Sequence, residues 1–358
     1  MYPLVATGFP ATAQEGNRKP VDPGVRRGQL WLRQQAARRT SEAKGGPMRR
    51  TLMSLWAVVT VVTAATGCTG DTDAGKPGSA TTAARQTRPQ PLTWQQELRV
   101  NDAQQRLTKQ CMNRQGFDYW EDRTLTLRES RPVRYVQDDV EWARTYGYGG
   151  RIDAKSQKVR ESNPIGTYRA SLPTSRRAAF DIALDGGDDA RILTAPLPGG
   201  SGEIRKRSGG CTEEAERELY GDPAEWFRTG KVAMSLNGLY GEELMKDRQL
   251  TAAIASWSRC MKKAGHSYKD PQAARDALRV NTSRLGEARA DEAFAAERKT
   301  AVADATCARE TSLRTVASAR ETYYEDRLHD RYGKDVDTYR RLGQQAYDRA
   351  VRIVPERD

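Results

Sequence analysis

The chain has 358 residues, room for about two ordinary domains, with 37% hydrophobic and 30% charged residues, so long stretches must be solvated helix faces or loops. Two histidines, His266 and His329, are too few to suggest metal or general-base chemistry built on imidazole. The formal charge of +12 points at first to an anionic partner, but ten Lys/Arg and three acids precede Cys68, so the chain from there on carries about +5. Nucleic-acid binding loses its main support, and a mild positive balance suits an anionic envelope surface equally well.

Residues 1–47 are rich in Arg, Gly and Pro and show no apolar period. They read as an upstream segment that is disordered or not part of the true reading frame, with translation starting at Met48. The stretch MRRTLMSLWAVVTVVTAATGC, Met48 to Cys68, then has the parts of an export signal: a basic start, an uncharged core and small residues before a cysteine. Its uncharged run, Thr51 to Thr66, is about 16 residues, short of the roughly 20 that a membrane-spanning helix needs. The ending resembles a bacterial lipobox, with Ala65 where that pattern usually carries Leu. Cys68 is accordingly expected to carry lipid and residues 48–67 to be the signal peptide; plain secretion and a retained N-terminal anchor are the alternatives. Residues 68–91 follow as a flexible tether, whose 23 residues after the cysteine reach at most about 80 Å.

Ordered structure is expected from residue 92, in two halves, 92–240 and 241–358. Thr93 followed by Gln96 reads as a capping box, Val100, Ala103, Leu107 and Cys111 recur at helical spacing, and Gly116 ends the helix. TLTLRESRPVRYV alternates weakly and suggests one or two short strands, limited by Pro132. DDVEWARTYGYGGR predicts a short helix running into a Gly-Tyr loop, and LPTSRRAAFDIALDGG a helix from Thr174 to Gly186. Asp185 to Gly210 reads as a mobile loop, and GGCTEEAERELYGDPAEWF resumes as helix with Glu213, Glu214 and Glu216 near its start, where the dipole favours acids. The second half repeats the plan. Leu250, Ile254, Trp257 and Met261 share a face of a helix ending at Gly265, an Ala-rich helix carries Cys307, and Tyr339, Leu342, Ala346, Ala350 and Ile353 line a last helix. The fold class is mainly α, disulfide-stapled helical halves with a small β element in the first half.

CMNRQGFDY and CMKKAGHSY write the same pattern twice, C-M-x-x-x-G-x-x-Y. Cys111, Cys211, Cys260 and Cys307 allow three connectivities, and the duplication favours pairing within each half, Cys111–Cys211 and Cys260–Cys307. Met112 and Met261 would then pack beside the staple, Gly116 and Gly265 cap the helix, and Tyr119 and Tyr268 fold back onto it. Zinc sites want closely spaced Cys or His, yet no two cysteines lie nearer than 43 residues, and CxxC is absent. A Cys260–His266 nucleophile pair is the weaker reading. Asp185, Asp188 and Asp189 lack the EF-hand spacing for calcium. Phe117, Tyr119, Trp120, Tyr135, Trp142, Tyr146 and Tyr148 read as core aromatics, with Tyr146 and Tyr148 of the YGYGG loop the candidate binding loop.

The lipobox-type signal, CMNRQGFDY, NPIGTY, GGCTEEAERELYG and SWSRCMKKAGHSYKDP together resemble a family of actinobacterial lipoproteins without an assigned activity. The resemblance covers about residues 93–278 and implies export, anchoring and paired cysteines, with no catalytic residue to carry across. The expected protein is a lipid-anchored module on the extracytoplasmic face of the cell membrane, non-enzymatic, with no cofactor and no metal. It presents its helical part to wall polymer, a membrane protein or another exported protein. The alternative is an envelope hydrolase using a carboxylate pair, for which Glu213, Glu214 and Asp222 are the material.

Overall fold

The computed structural model describes residues 88–357 except Ser201. The expectations for residues 1–47, the signal segment, Cys68 and most of the tether lie outside the described residues.

The first helix, α1 (Trp94–Arg114), starts with the capping box. The Gln96 amide N–H donates to Thr93 Oγ1 at 3.3 Å while the Thr93 N–H donates to Gln96 Oε1 at 2.8 Å, closing two orphan donors of the first turn. Val100, Ala103, Leu107 and Cys111 are all buried, as the spacing predicts. At the far end the Phe117 N–H donates to the Met112 carbonyl and the Gly116 N–H to that of Asn113, both at 3.0 Å. That is a Schellman stop, which needs a left-handed residue at its turn, and Gly116 has φ +75°. The second copy of the motif does the same. In α9 (Arg248–Lys263) the His266 N–H donates to the Met261 carbonyl at 2.8 Å, the Gly265 N–H to that of Lys262 at 3.1 Å, and Gly265 has φ +86°. The glycine of the motif is the helix stop.

Between α1 and the next helix the chain is irregular, and the strands expected from TLTLRESRPVRYV are absent among the described residues. The reason is local. Thr126 and Glu129 exchange bonds in capping-box fashion, Thr126 N–H to Glu129 Oε2 at 2.9 Å and Glu129 N–H to Thr126 Oγ1 at 3.3 Å, which closes a turn and forecloses a ladder. Helices α2 (Val140–Tyr146), α3 (Gly150–Glu161), α4 (Pro164–Ser171) and α5 (Thr174–Asp185) follow in quick succession. Of these α3 and α4 were not foreseen: α3 buries no residue, so it carries no apolar period to read, and α4 is declared only by an Asn163 cap and Pro164 at its first turn.

The β element lies in the segment read as a mobile loop. Strands β1 (Arg191–Pro196) and β2 (Glu203–Ser208) form an antiparallel hairpin, Arg191 opposite Ser208 and Pro196 opposite Glu203. Leu193 and Ala195 point inward, against Phe227 of α7 (Pro223–Ser235), while Ile192 and Thr194 face solvent. Helix α6 (Gly210–Tyr220) precedes α7, and α8 (Asn237–Met245), α9, α10 (Pro271–Leu285), α11 (Ala290–Glu310), α12 (Leu313–Arg327) and α13 (His329–Ile353) complete the chain.

Two disulfides hold these helices as the repeat predicts. Cys111 of α1 joins Cys211 of α6, and Cys260 of α9 joins Cys307 of α11. Each sits in a core cluster: Cys111, Met112, Phe117, Phe180 and Cys211 in one, Trp257, Met261, Cys307, Ala308 and Leu313 in the other. Tyr119 and Tyr268 pack against these same clusters. The two stretches also interlock. Helix α13 packs on α1, α6 and α7, and α2 packs on α11. Past α13, Arg357 reaches back to the buried Asp102 of α1, with bonds of 2.7 and 2.5 Å to its two carboxylate oxygens, so the end of the chain locks its first helix.

Candidate functional site

The carboxylates that a hydrolase would need are engaged in structure. Burial alone would raise the Glu213 carboxyl, but the Ser208 hydroxyl at 2.7 Å, Arg191 at 3.1 Å and Arg217 hold it below the usual range. Glu214 pairs with Arg114 at the surface, and Asp222 caps α7 through the Ala224 N–H at 2.9 Å. Asp185 turns onto the Gly187 N–H at 3.1 Å, while Asp188 and Asp189 are exposed. Among the described residues no three His, Cys, Asp or Glu side chains gather closely enough to hold a metal ion. Cys260 is bonded to Cys307, and His266 stacks on Tyr268 at 6.3 Å with its imidazole lowered by burial and by Lys299.

The aromatic set splits in the same way. Phe117 meets Phe180 edge-on at 5.4 Å, Trp120 meets Tyr168 at 5.5 Å, and Trp142 meets Tyr146 at 5.3 Å. Tyr148 turns its hydroxyl inward and donates to Asp304 Oδ2 at 2.9 Å. Its own N–H donates to Glu297 Oε1 at 2.7 Å, and that oxygen also accepts from the Gly150 N–H at 3.3 Å. Two acids of α11 thus pin the YGYGG loop, and the hydroxyl and amide N–H of Tyr148 are spent on them.

Asp304 is the centre of that network. It is 0% exposed and accepts from Trp257 Nε1 at 2.8 Å through its other oxygen, with Arg275 over the Tyr148 ring at 5.3 Å. Burial pushes its carboxyl up to about 6, against the opposing pull of Arg275 and the two donors. A carboxyl whose unfolded value is 3.8 therefore holds its proton more tightly in the folded chain. The stability it contributes is fully present below about pH 4 and is lost as pH climbs through about 6, a loss on the order of 2–3 kcal/mol. Asparagine mimics the protonated acid, accepting from Trp257 while its amide donates to Tyr148. Asp304→Asn is expected to gain on wild type in urea unfolding as pH rises from about 4 to about 7; a constant difference between the two proteins would refute the assignment.

One recess is built differently. A cavity of about 40 Å³ lies between the first turn of α1, the loop before α2 and the start of α12, lined by Trp94, Arg131, Pro132, Arg134, Gln137 and Arg314. The loop is fixed from behind. Arg275 of α10 donates to the carbonyls of Arg134 and Tyr135 at 2.6 and 2.9 Å, and Arg309 of α11 to that of Asp138 at 3.1 Å. Arg314 pairs with Asp138 at 3.1 Å and Arg131 with Asp139. Arg134 has no ion-pair partner within 4.0 Å among the described residues; its charge acts on Glu97, whose carboxyl burial raises and Arg134 draws down. Gln137 is 3% exposed, and its amide makes no hydrogen bond among the described residues. Sequence reasoning passed over this set because RPVRYVQDD has no motif and Arg314 is brought to it only by the fold. A wider cleft of about 530 Å³ lies beside the hairpin tip, between Leu197, Val232, Tyr332 and Asp335, and is mostly open to solvent.

Comparison with protein families, curated proteins and solved structures gives no match for this chain.

Proposed function

We propose that the chain is a lipid-anchored, extracytoplasmic binding module rather than an enzyme, held by Cys68 and presenting its helical part to a partner at the envelope. The observation that carries the reading is the pair of disulfides. The cysteine that opens each copy of the Cys-Met motif is held in one, and such bonds persist in oxidising compartments and are rare in a reducing cytoplasm. The engagement of Glu213, Glu214 and Asp222 in ion pairs and a helix cap supports binding over carboxylate catalysis. The lipobox-like ending at Cys68 and the resemblance to actinobacterial lipoproteins support the anchor, and wall polymer or another envelope protein is the class of partner that an anchored module meets.

Thiol labelling and intact mass test it together. Membrane-fraction protein is expected to begin at a lipid-bearing Cys68, to take no thiol label until reduced, and to take four labels afterwards. Cys68→Ala is expected to leave the membrane fraction with its disulfides intact. Free thiols at Cys111 and Cys260 in protein taken straight from cells would rule out the extracytoplasmic reading. Full membrane retention of Cys68→Ala would rule out the anchor.

A further inference from the structure

We infer that the recess formed by Trp94, Arg131, Arg134, Gln137 and Arg314 is a binding site for a phosphate group, and this stands on the pocket alone, wherever the chain is located. The charge count comes first. Three guanidinium groups line the cavity, and Asp138 and Asp139 answer two of them from the loop itself. Arg134 is left over, so the pocket keeps one net positive charge with no partner within 4.0 Å among the described residues. Glu97, the acid on which Arg134 acts, stands more than 4.0 Å from it and forms no ion pair with it, so the guanidinium's donors stay free.

Gln137 supplies the second, independent observation. Its side chain is enclosed except where it lines the cavity, and an amide that bonds to no protein group is free to bond to what fills the site. Gln137 is 97% buried by the complement of its 3% exposure, lines the cavity and has no hydrogen bond to any described residue. An amide N–H beside arginine forks is the donor set that recognises oxyanions. Size then separates the candidates. One water centre needs roughly 10–15 Å³ of such space, so 40 Å³ holds about three waters or one tetrahedral oxyanion. A planar carboxylate would leave part of the space and some donors unused. The loop that carries three of these residues is held from behind by Arg275 and Arg309, so the donors are largely in place before the ligand arrives.

The same chemistry can come from free phosphate or from the phosphodiester of an anionic lipid, and the experiment separates them. Inorganic phosphate is titrated calorimetrically into the full chain at low salt, beside Arg134→Gln and Gln137→Leu, with acetate as the size control. Vesicles of phosphatidylglycerol and of phosphatidylcholine are tested by co-sedimentation with the chain lacking its lipid. Arg134→Gln, whose side chain holds no ion pair, is expected to unfold as wild type does and to weaken phosphate binding about ten- to a hundredfold, the effect of losing a charged hydrogen bond. Phosphate binding lost in the variant supports the free anion. Sedimentation with phosphatidylglycerol alone, lost in the variant, supports the lipid phosphodiester. Binding of neither, binding unchanged by Arg134→Gln, or acetate bound as tightly as phosphate would each overturn the assignment.

Discussion

Replacing Cys111 and Cys211 together by alanine is expected to lower the unfolding free energy by about 4–5 kcal/mol, and replacing Cys260 and Cys307 by about 4 kcal/mol. The figures follow from the loops that each bond closes in the unfolded chain, 100 and 47 residues. Because loop-closure entropy grows only with the logarithm of length, the two effects are close in size although one loop is about twice the other. The loops do not overlap and the bonds sit in different core clusters, so the two effects are expected to add. Their sum, about 8–9 kcal/mol, falls inside the 5–15 kcal/mol that holds a whole domain folded. The four-alanine variant is therefore expected to be largely unfolded in water, with its helical circular dichroism lost, while each two-alanine variant folds with a lowered urea midpoint. A four-alanine variant with wild-type dichroism and midpoint would show that packing alone carries the fold.

This dependence on the staples was legible in the sequence because the motif occurs twice. The Schellman geometry requires glycine four residues after a methionine whose carbonyl accepts the returning N–H, and C-M-x-x-x-G writes that requirement down in both copies. The long helices were equally readable: Leu250, Trp257 and Met261 on α9, and Leu342, Ala346 and Ala350 on α13, are buried at the spacing that reveals them. The hairpin was missed although its signal is present. Ile192 and Thr194 alternate with Leu193 and Ala195, and Pro198, Gly199, Gly200 and Gly202 lie between the strands, but glycine and aspartate at either end suggested a loop. In TLTLRESRPVRYV the alternation was outweighed by one local exchange between Thr126 and Glu129. The pocket was illegible for another reason. Its residues come from a helix start, a loop and a helix more than a hundred positions on, and nothing in their spacing marks them before the chain has folded. The inward turn of Tyr148 was hidden likewise, because Asp304 and Glu297 are unremarkable acids until α11 is laid beside α2.

Trp257→Ala is expected to destabilise the protein by about 3–5 kcal/mol, the range for emptying a large aromatic site in a packed core. Trp257 is the largest fully buried side chain among the described residues and touches the cluster that holds Met261, Cys307 and Leu313. It also makes one bond that a hydrocarbon cannot, from Nε1 to Asp304 Oδ1 at 2.8 Å. Trp257→Phe separates the two contributions. It keeps most of the volume and removes the donor, so a smaller loss of about 1.5–3 kcal/mol is expected, the size of one hydrogen bond to a charged group. The signs with pH then differ between the contributions. Without the indole N–H the carboxylate form of Asp304 loses one of the two donors that favour it, so its carboxyl should rise further and the loss from Trp257→Phe should be larger at about pH 7 than at about pH 4. The volume contribution does not titrate, so in the Asp304→Asn background the effect of Trp257→Phe should be the same at both pH values. Urea unfolding of the two single variants and the double variant at both pH values checks this. A Trp257→Phe loss that is equal at both pH values with Asp304 present would show that the tryptophan acts through packing alone.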